Sequence, residues 1–376
     1  ASATEDDNIY KSTEASINGS LLFPKFLFPL KERISYRYGQ YNPRTKLSSG
    51  YTYSNRPEYK RGITNVSGMY TWDINQRRQF AFTAVNLNII DSNLDPEFEQ
   101  QLLDLQEEEG NNLINTFKKS FVSSMIFAFT WNPSNYGNRE RNSKIIRTTL
   151  ESGGTFLNFW TPDILIERKL ELYQYVRLSF DFRKNIILDK SRSLAYRINS
   201  GVGISYGKNS VLPYEKNFFA GGSNSVRAWR PRRLGLGSDP PDSSANISGN
   251  GYFDYKYEKP GDVLIEGSIE LRQKLFGFVS SGLFIDVGNV WTLNSTSNED
   301  AQFAFNKFYK EFGIGTGFGL RFDFSFLLLR LDVGIKAWDP AREGSDRFVL
   351  DNLRFYKPYS KEREPVIYNI GIGYPF

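Results

Sequence analysis

Val263-Leu264-Ile265-Glu266-Gly267-Ser268-Ile269-Glu270-Leu271-Arg272-Gln273-Lys274-Leu275 alternates its side chains with a period of two. Val263, Ile265, Gly267, Ile269, Leu271 and Leu275 share one face, while Glu266, Ser268, Glu270, Arg272 and Lys274 share the other. Successive side chains of a strand point to opposite sides, so the pattern predicts a β-strand with one apolar and one charged face. The split recurs in 170–183, where Leu170, Leu172, Val176, Leu178, Phe180 and Phe182 oppose Glu171, Arg177, Ser179, Asp181 and Arg183. In 327–336, Leu327, Leu329, Leu331, Val333 and Ile335 oppose Arg330, Asp332, Gly334 and Lys336. Alternation alone also suits a soluble sandwich with one wetted face. Length decides between the two. Strands of globular proteins run about five or six residues, whereas these keep alternating for about ten, enough to cross a bilayer.

Working outward, further alternating segments fall at 11–23, 45–55, 63–74, 77–89, 120–131, 143–158, 192–207, 279–291, 311–323 and 365–376. The expectation is an all-β, transmembrane antiparallel β-barrel with about thirteen strands visible. Tyr70, Trp72, Trp131, Trp160 and Trp291 lie near segment ends, where aromatic rings form interfacial girdles. Short links at Asn75–Arg77, Phe276–Phe278 and Phe324–Ser325 contrast with long ones at 90–119, 208–262, 292–310 and 339–364. Short turns belong on the periplasmic side and long loops outside. One long loop holds a short helix near 96–106: Asp95 caps it, Pro96 suits its first turn, and Phe98, Leu102 and Leu105 share a face. Its acidic side, Glu107 to Glu109, makes it a surface loop helix in this reading.

The 376 residues carry 47 Lys plus Arg against 42 Asp plus Glu, a net charge of only +5, which argues against a nucleic-acid partner. Aromatic content is 16%, yet mean hydropathy is −0.46, the combination a barrel gives when lipid-facing and lumen-facing residues alternate. With no His and no Cys, thiolate chemistry, imidazole metal sites and His-based triads are excluded. No catalytic residue, metal site or cofactor is expected. Gly313-Ile314-Gly315-Thr316-Gly317-Phe318-Gly319 looks like a nucleotide loop but is spaced strictly by two. It reads as a strand whose inner face is bare glycine, leaving room for another segment to approach.

The loop after 192–207 contains Asn217-Phe218-Phe219-Ala220-Gly221-Gly222-Ser223-Asn224-Ser225-Val226-Arg227-Ala228-Trp229. It resembles the signature loop of the BamA/TamA superfamily of outer-membrane assembly proteins, in which Phe219, Gly221, Gly222, Ser223, Val226, Arg227 and Trp229 find counterparts. Ala228 stands where the family has glycine. Gly282 to Trp291 looks like the family's strand ending in Val-Trp, and Glu270 matches its glutamate position. The resemblance implies that the 208–262 loop folds into the lumen and that Arg227 pairs there with Glu270 and Asp286 as a structural latch. Parity puts both acids on the polar face, and a buried Arg needs carboxylate partners. Phe23-Pro24-Lys25-Phe26-Leu27-Phe28-Pro29, Pro43-Arg44-Thr45, Asn55-Arg56-Pro57 and Tyr59 are similar to the TamL-type members of Bacteroidota. Tyr368, Ile370, Ile372, Tyr374 and Phe376 alternate at the end of the chain. They resemble a terminal strand signal, with all five expected to face lipid.

On the family's sixteen-strand plan, residues 1–376 form the barrel domain, with first strands and periplasmic domains expected upstream. The implied function is outer-membrane protein assembly, insertion or translocation through a barrel seam and a lumen-inserted loop, at the bacterial outer membrane of a Gram-negative cell. Expected partners are outer-membrane lipids and lipopolysaccharide, client outer-membrane proteins, and periplasmic or lipoprotein assembly partners. The alternatives are a two-partner-secretion-type or passive transport pore, a partner-scaffold barrel in a larger outer-membrane complex, and a barrel that exports an upstream enzyme domain.

Overall fold

The computed structural model describes residues 13–27, 39–75, 77–109, 114, 117–137, 141–154, 170–207, 211–240, 258–293, 298–324, 326–350 and 366–376, side chains at 105–109 excepted. Among these, the chain forms β1 (Thr13–Phe23), β2 (Arg44–Asn55), β3 (Tyr59–Ile74), β4 (Arg78–Leu94), α1 (Pro96–Glu109), β5 (Ser120–Trp131) and β6 (Ser143–Gly153). It continues with β7 (Glu171–Leu172), β8 (Gln174–Ile187), β9 (Arg192–Tyr206), β10 (Val263–Phe276), β11 (Val279–Trp291), β12 (Gly313–Asp323), β13 (Leu328–Trp338) and β14 (Ile367–Ile372). All but β7 follow one another in a single meandering antiparallel sheet, each hydrogen-bonded to its neighbours in sequence. The thirteen strands of this path coincide with the thirteen alternating segments. No helix among the described residues is long and apolar enough to cross a membrane.

The two faces of the sheet differ as the alternation requires. Ile269, Leu283, Ile285, Phe318, Ile370 and Ile372 are each at least half exposed, whereas Glu270, Asp286 and Asp332 on the opposite face are buried. An outer face of exposed aliphatic and aromatic residues suits lipid and would be a liability in water. Turns are as asymmetric as the surfaces. Gly277 adopts a φ of 50° in the two-residue link between β10 and β11, and Asn75 one of 56° between β3 and β4. Both lie at the end of the sheet opposite the C-terminal ends of β4, β9, β11 and β13, from which the long connections leave.

Four expectations change. The segment 170–183 begins later, because Tyr173 and Tyr175 pack with Ile90, Val122 and Leu212. Its start leaves the antiparallel path and pairs as β7, parallel to β5. The helix is more than a surface element: Leu102 is 1% exposed and packs with Tyr59, Phe117 and Tyr214, flanked by Phe98. Asp95 does cap it, accepting from Glu97 N at 3.1 Å. Trp291 is not a girdle residue, since its Nε1 donates to Glu311 at 2.6 Å and Phe303 and Phe312 pack around its buried ring.

The fourth change is at the end of the chain. Tyr368, Ile370 and Ile372 face outward, but Gly373 at φ 81° turns the chain off the strand line. Tyr374 then lies 4.0 Å from the Arg272 guanidinium and Phe376 is 5% exposed, so these two rings leave the lipid face. Trp160, Phe28, Pro29 and the side chains of Leu105 and Glu107–Glu109 lie outside the described residues.

Candidate functional site

Strand register builds the site in rows across the polar face of β10–β14. Ser268, Asp286 and Gly315 stand side by side, and the next row is Glu270, Phe284, Gly317, Gly334 and Ile367. Below it run Arg272, Gly282, Gly319, Asp332 and Asn369, then Lys274, Ser280, Arg321, Arg330 and Gly371. The glycines of β12 and its neighbours leave a hollow bordered by acids. A Cβ added at Gly334 would meet Arg227 O at 2.2 Å, and one at Gly315 would meet the Ala228 Cβ at 2.6 Å. The glycine stripe therefore admits another stretch of backbone, as its spacing suggested.

Arg227 fills that hollow and is fully buried. Its Nε and Nη2 donate to the two oxygens of Asp286 at 2.8 and 2.9 Å, a fork-to-fork pair that fixes orientation as well as charge. Nη1 donates to Glu270 at 2.6 Å, and the Arg227 backbone N–H adds a third bond to Asp286 at 3.1 Å. The guanidinium carbon sits 3.4 Å from the Phe284 ring centre, so an aromatic face lies beneath the cation. Asn369 of β14 donates to Arg227 O at 2.9 Å, which ties the last strand to the loop.

Four further charges, Arg272, Arg321, Arg330 and Asp332, complete the cluster and were not singled out as site residues from the sequence. Arg321 bridges Glu270 at 3.0 Å and Asp332 at 2.5 Å. Asp332 also lies 3.5 Å from Arg227 and 3.3 Å from Arg330, and Arg330 reaches Asn224 in the loop at 2.9 Å. Parity had placed Arg330 and Asp332 on the inner face, and Arg321 continues the two-residue spacing of the β12 glycines. What parity could not supply was the height at which each strand meets its neighbour. Arg272 holds the remaining oxygen of Glu270 at 2.9 Å. Burying charges is costly unless each has partners, and here every carboxylate of the cluster has at least one guanidinium.

The signature loop is shaped by its own residues. Gly221 and Gly222 both take φ near +100°, a conformation that disfavours any side chain. Ser223 occupies the turn that follows, and Ser225 hydrogen-bonds both the Gly221 N–H and Glu266. Ala228 requires no positive φ, and its methyl is what touches Gly315. Val226 and Trp229 are buried with Phe218, Leu234, Leu264 and Val290. Phe219 stacks edge-on to Tyr214 at 5.4 Å, beside Arg232 at 4.7 Å.

The other end of the same loop grips the opposite part of the sheet. Lys216 pairs with Glu151 of β6 at 2.6 Å, Tyr175 donates to that carboxylate at 2.8 Å, and Glu215 pairs with Arg61 of β3 at 2.6 Å. Arg177 of β8 donates to Lys216 O at 2.9 Å and lies 4.0 Å from the Phe218 ring centre. Farther along the loop, burial pushes the Glu258 carboxyl up, against the pull of neighbouring Arg56, which pairs with it.

The sequence matches the Omp85 superfamily domain over residues 3–356. BamA from Haemophilus ducreyi lacking POTRA domains 1–3 is similar in structure, with a TM-score of 0.58 at 14% identity, over 89% of this chain and 60% of that one. CdiB from Acinetobacter baumannii scores 0.36 at 11% identity, over 96% of this chain and 59% of the other. CdiB from Escherichia coli scores 0.43 at 13%, over 85% and 55%. The chain thus spans 55–60% of the length of these structures. With a family match over nearly its whole length and the fold of a BamA barrel, the chain belongs to the Omp85 superfamily and is a transmembrane β-barrel protein of the bacterial outer membrane.

Proposed function

We propose that this barrel inserts or translocates other outer-membrane proteins, with the 208–262 loop seated in the lumen and Arg227 as its latch. The observation that carries the reading is the buried pairing of Arg227 with Glu270 of β10 and Asp286 of β11 at 2.6–2.9 Å, which joins a long loop to two adjacent strands. The proposed mechanism is not chemical. A strand with an unpaired edge is a template for pairing with another chain, so client strands would add at a barrel seam by β-augmentation. β14 suits one side of such a seam because it pairs with β13 over only Ile367–Ile372, about half the length of β13. The motifs from Phe23 to Tyr59 favour a TamL-type member of Bacteroidota, with client barrels, periplasmic or lipoprotein partners, and lipids including lipopolysaccharide around it.

The test is reconstitution. The protein, in its complete form, is placed in liposomes and the folding of a heat-modifiable client barrel is followed by its mobility shift. Faster folding than in empty liposomes is expected, with Arg227→Ala reducing the gain. Equal rates with and without the protein, together with high passive conductance in planar bilayers, would favour a transport pore instead.

A further inference from the structure

We propose that the cavity at the short-turn end of the barrel is a receptor site for an acidic, unfolded polypeptide segment. The proposal rests on the reading of the protein as an assembly or translocation factor and specifies what this end recognises. The cavity has a volume of about 1110 Å³ and is walled by the β8–β9 turn, the β10–β11 hairpin and the ends of β12 and β14. That is near the upper end of the roughly 300–1,000 Å³ of ligand pockets and far too small for a folded domain. A short unfolded stretch of chain fits it.

Its lining is predominantly basic, with Lys190, Arg192, Arg272, Lys274 and Arg321 against Asp189 and Asp323. Arg192 is paired with Asp189 at 2.6 Å, and Arg272 and Arg321 are held by Glu270 at 2.9 and 3.0 Å. Asp323 on the rim is not free. Lys190 and Lys274 are both exposed and, among the described residues, neither has an ion pair. Two uncompensated ammonium groups therefore face the same space, with the apolar rings of Phe278 and Tyr374 beside them. Such a wall attracts carboxylates that arrive with aromatic or aliphatic neighbours.

The wall already holds a piece of polypeptide in cis, which singles out a peptide over a lipid phosphate. After the turn at Gly373, Arg272 donates to the Phe376 carbonyl at 3.1 Å and stacks on Tyr374 at 4.0 Å. Glu270 fixes the same guanidinium from behind. A backbone carbonyl and an aromatic ring read by one oriented arginine are the elements of extended-peptide recognition.

The test uses the complete protein in detergent micelles and fluorescence anisotropy of a labelled peptide alternating Asp with Ser and Tyr. A Lys-for-Asp version and inorganic phosphate serve as comparisons. The acidic peptide should bind more tightly than the basic one, weaken as salt rises, and lose about tenfold or more in affinity in Lys190→Glu/Lys274→Glu. Lys190→Gln/Lys274→Gln should show a smaller loss, which guards against misfolding of the reversed variant. Heat-modifiable mobility verifies the fold of each. Equal binding of acidic and basic peptides, or affinity unchanged in both Lys variants, would overturn the proposal. So would displacement of the peptide by phosphate at equal concentration. A barrel that accelerates client folding yet shows no preference for the acidic peptide removes this proposal alone, and one that binds the peptide without accelerating folding removes only the preceding reading.

Discussion

Removing the Arg227 side chain gives the sharpest test of what holds the loop. Arg227→Ala deletes two bonds to Asp286 and one to Glu270, and removes the cation from over Phe284. The acids left behind fare differently. Glu270 keeps Arg272 and Arg321, and Asp332 keeps Arg321 and Arg330. Asp286 keeps no cation within ion-pair distance among the described residues, and it is fully buried. Breaking a buried pair by removing one member costs about 3–5 kcal/mol, mostly because the survivor is left uncompensated. At about 1.4 kcal/mol per decade, the opening equilibrium of the loop should rise by roughly two to four orders of magnitude. Hydrogen exchange of the 221–237 amides in the micelle-bound barrel reads this directly, with the β10–β11 amides as an internal reference. Arg227→Ala/Asp286→Asn should recover part of the loss, since the second change removes the stranded charge. Loop protection unchanged in Arg227→Ala, or a double variant more open than the single one, would refute the argument.

Three further outcomes follow from the geometry. Gly334→Ala places a methyl 2.2 Å from Arg227 O and should destabilise the seated loop by about 1–3 kcal/mol, measured by the same exchange, while Gly19→Ala, with open space around it, should be silent. Leu102→Ala empties a fully buried position on the inner face of α1 and should cost about 2–5 kcal/mol, seen as faster proteolysis within α1 and unaltered cleavage elsewhere. Asp262, in the loop just before β10, has its carboxyl pushed by burial from 3.8 to about 6, with the Leu293 N–H partly opposing. The folded state then holds a proton that the unfolded state has lost, so stability is highest below the lower value and falls as pH rises through the upper one. Urea midpoints across that interval should decline in the wild type and flatten in Asp262→Asn.

The sequence by itself determined the strands, their two faces and the residues around which the site is built. Period-two alternation is local, so it survives without knowledge of any partner, and it located all thirteen strands of the main path. It also put Glu270 and Asp286 on the polar side, while the loop motif directed attention to Arg227. The same parity covered Arg330 and Asp332, and Arg321 continued the spacing of the β12 glycines, yet nothing distinguished them from other inward charges. Their meeting depends on register: Asp332 faces Gly319 and Arg321 faces Arg330 only because β12 and β13 pair at that offset. Register is fixed between strands, not within one, and belongs to the tertiary structure. The same holds for α1, whose Leu102 had no visible partner until Tyr59, Phe117 and Tyr214, from three separate stretches of chain, came together. At Gly373 a single positive φ overrode the alternation and carried Tyr374 and Phe376 to the inner side, where Arg272, about a hundred residues earlier, was waiting to bind them. Local pattern fixes which way a side chain points while the strand lasts. Where strands meet and where they stop is settled by packing between distant segments, and the site is assembled at those places.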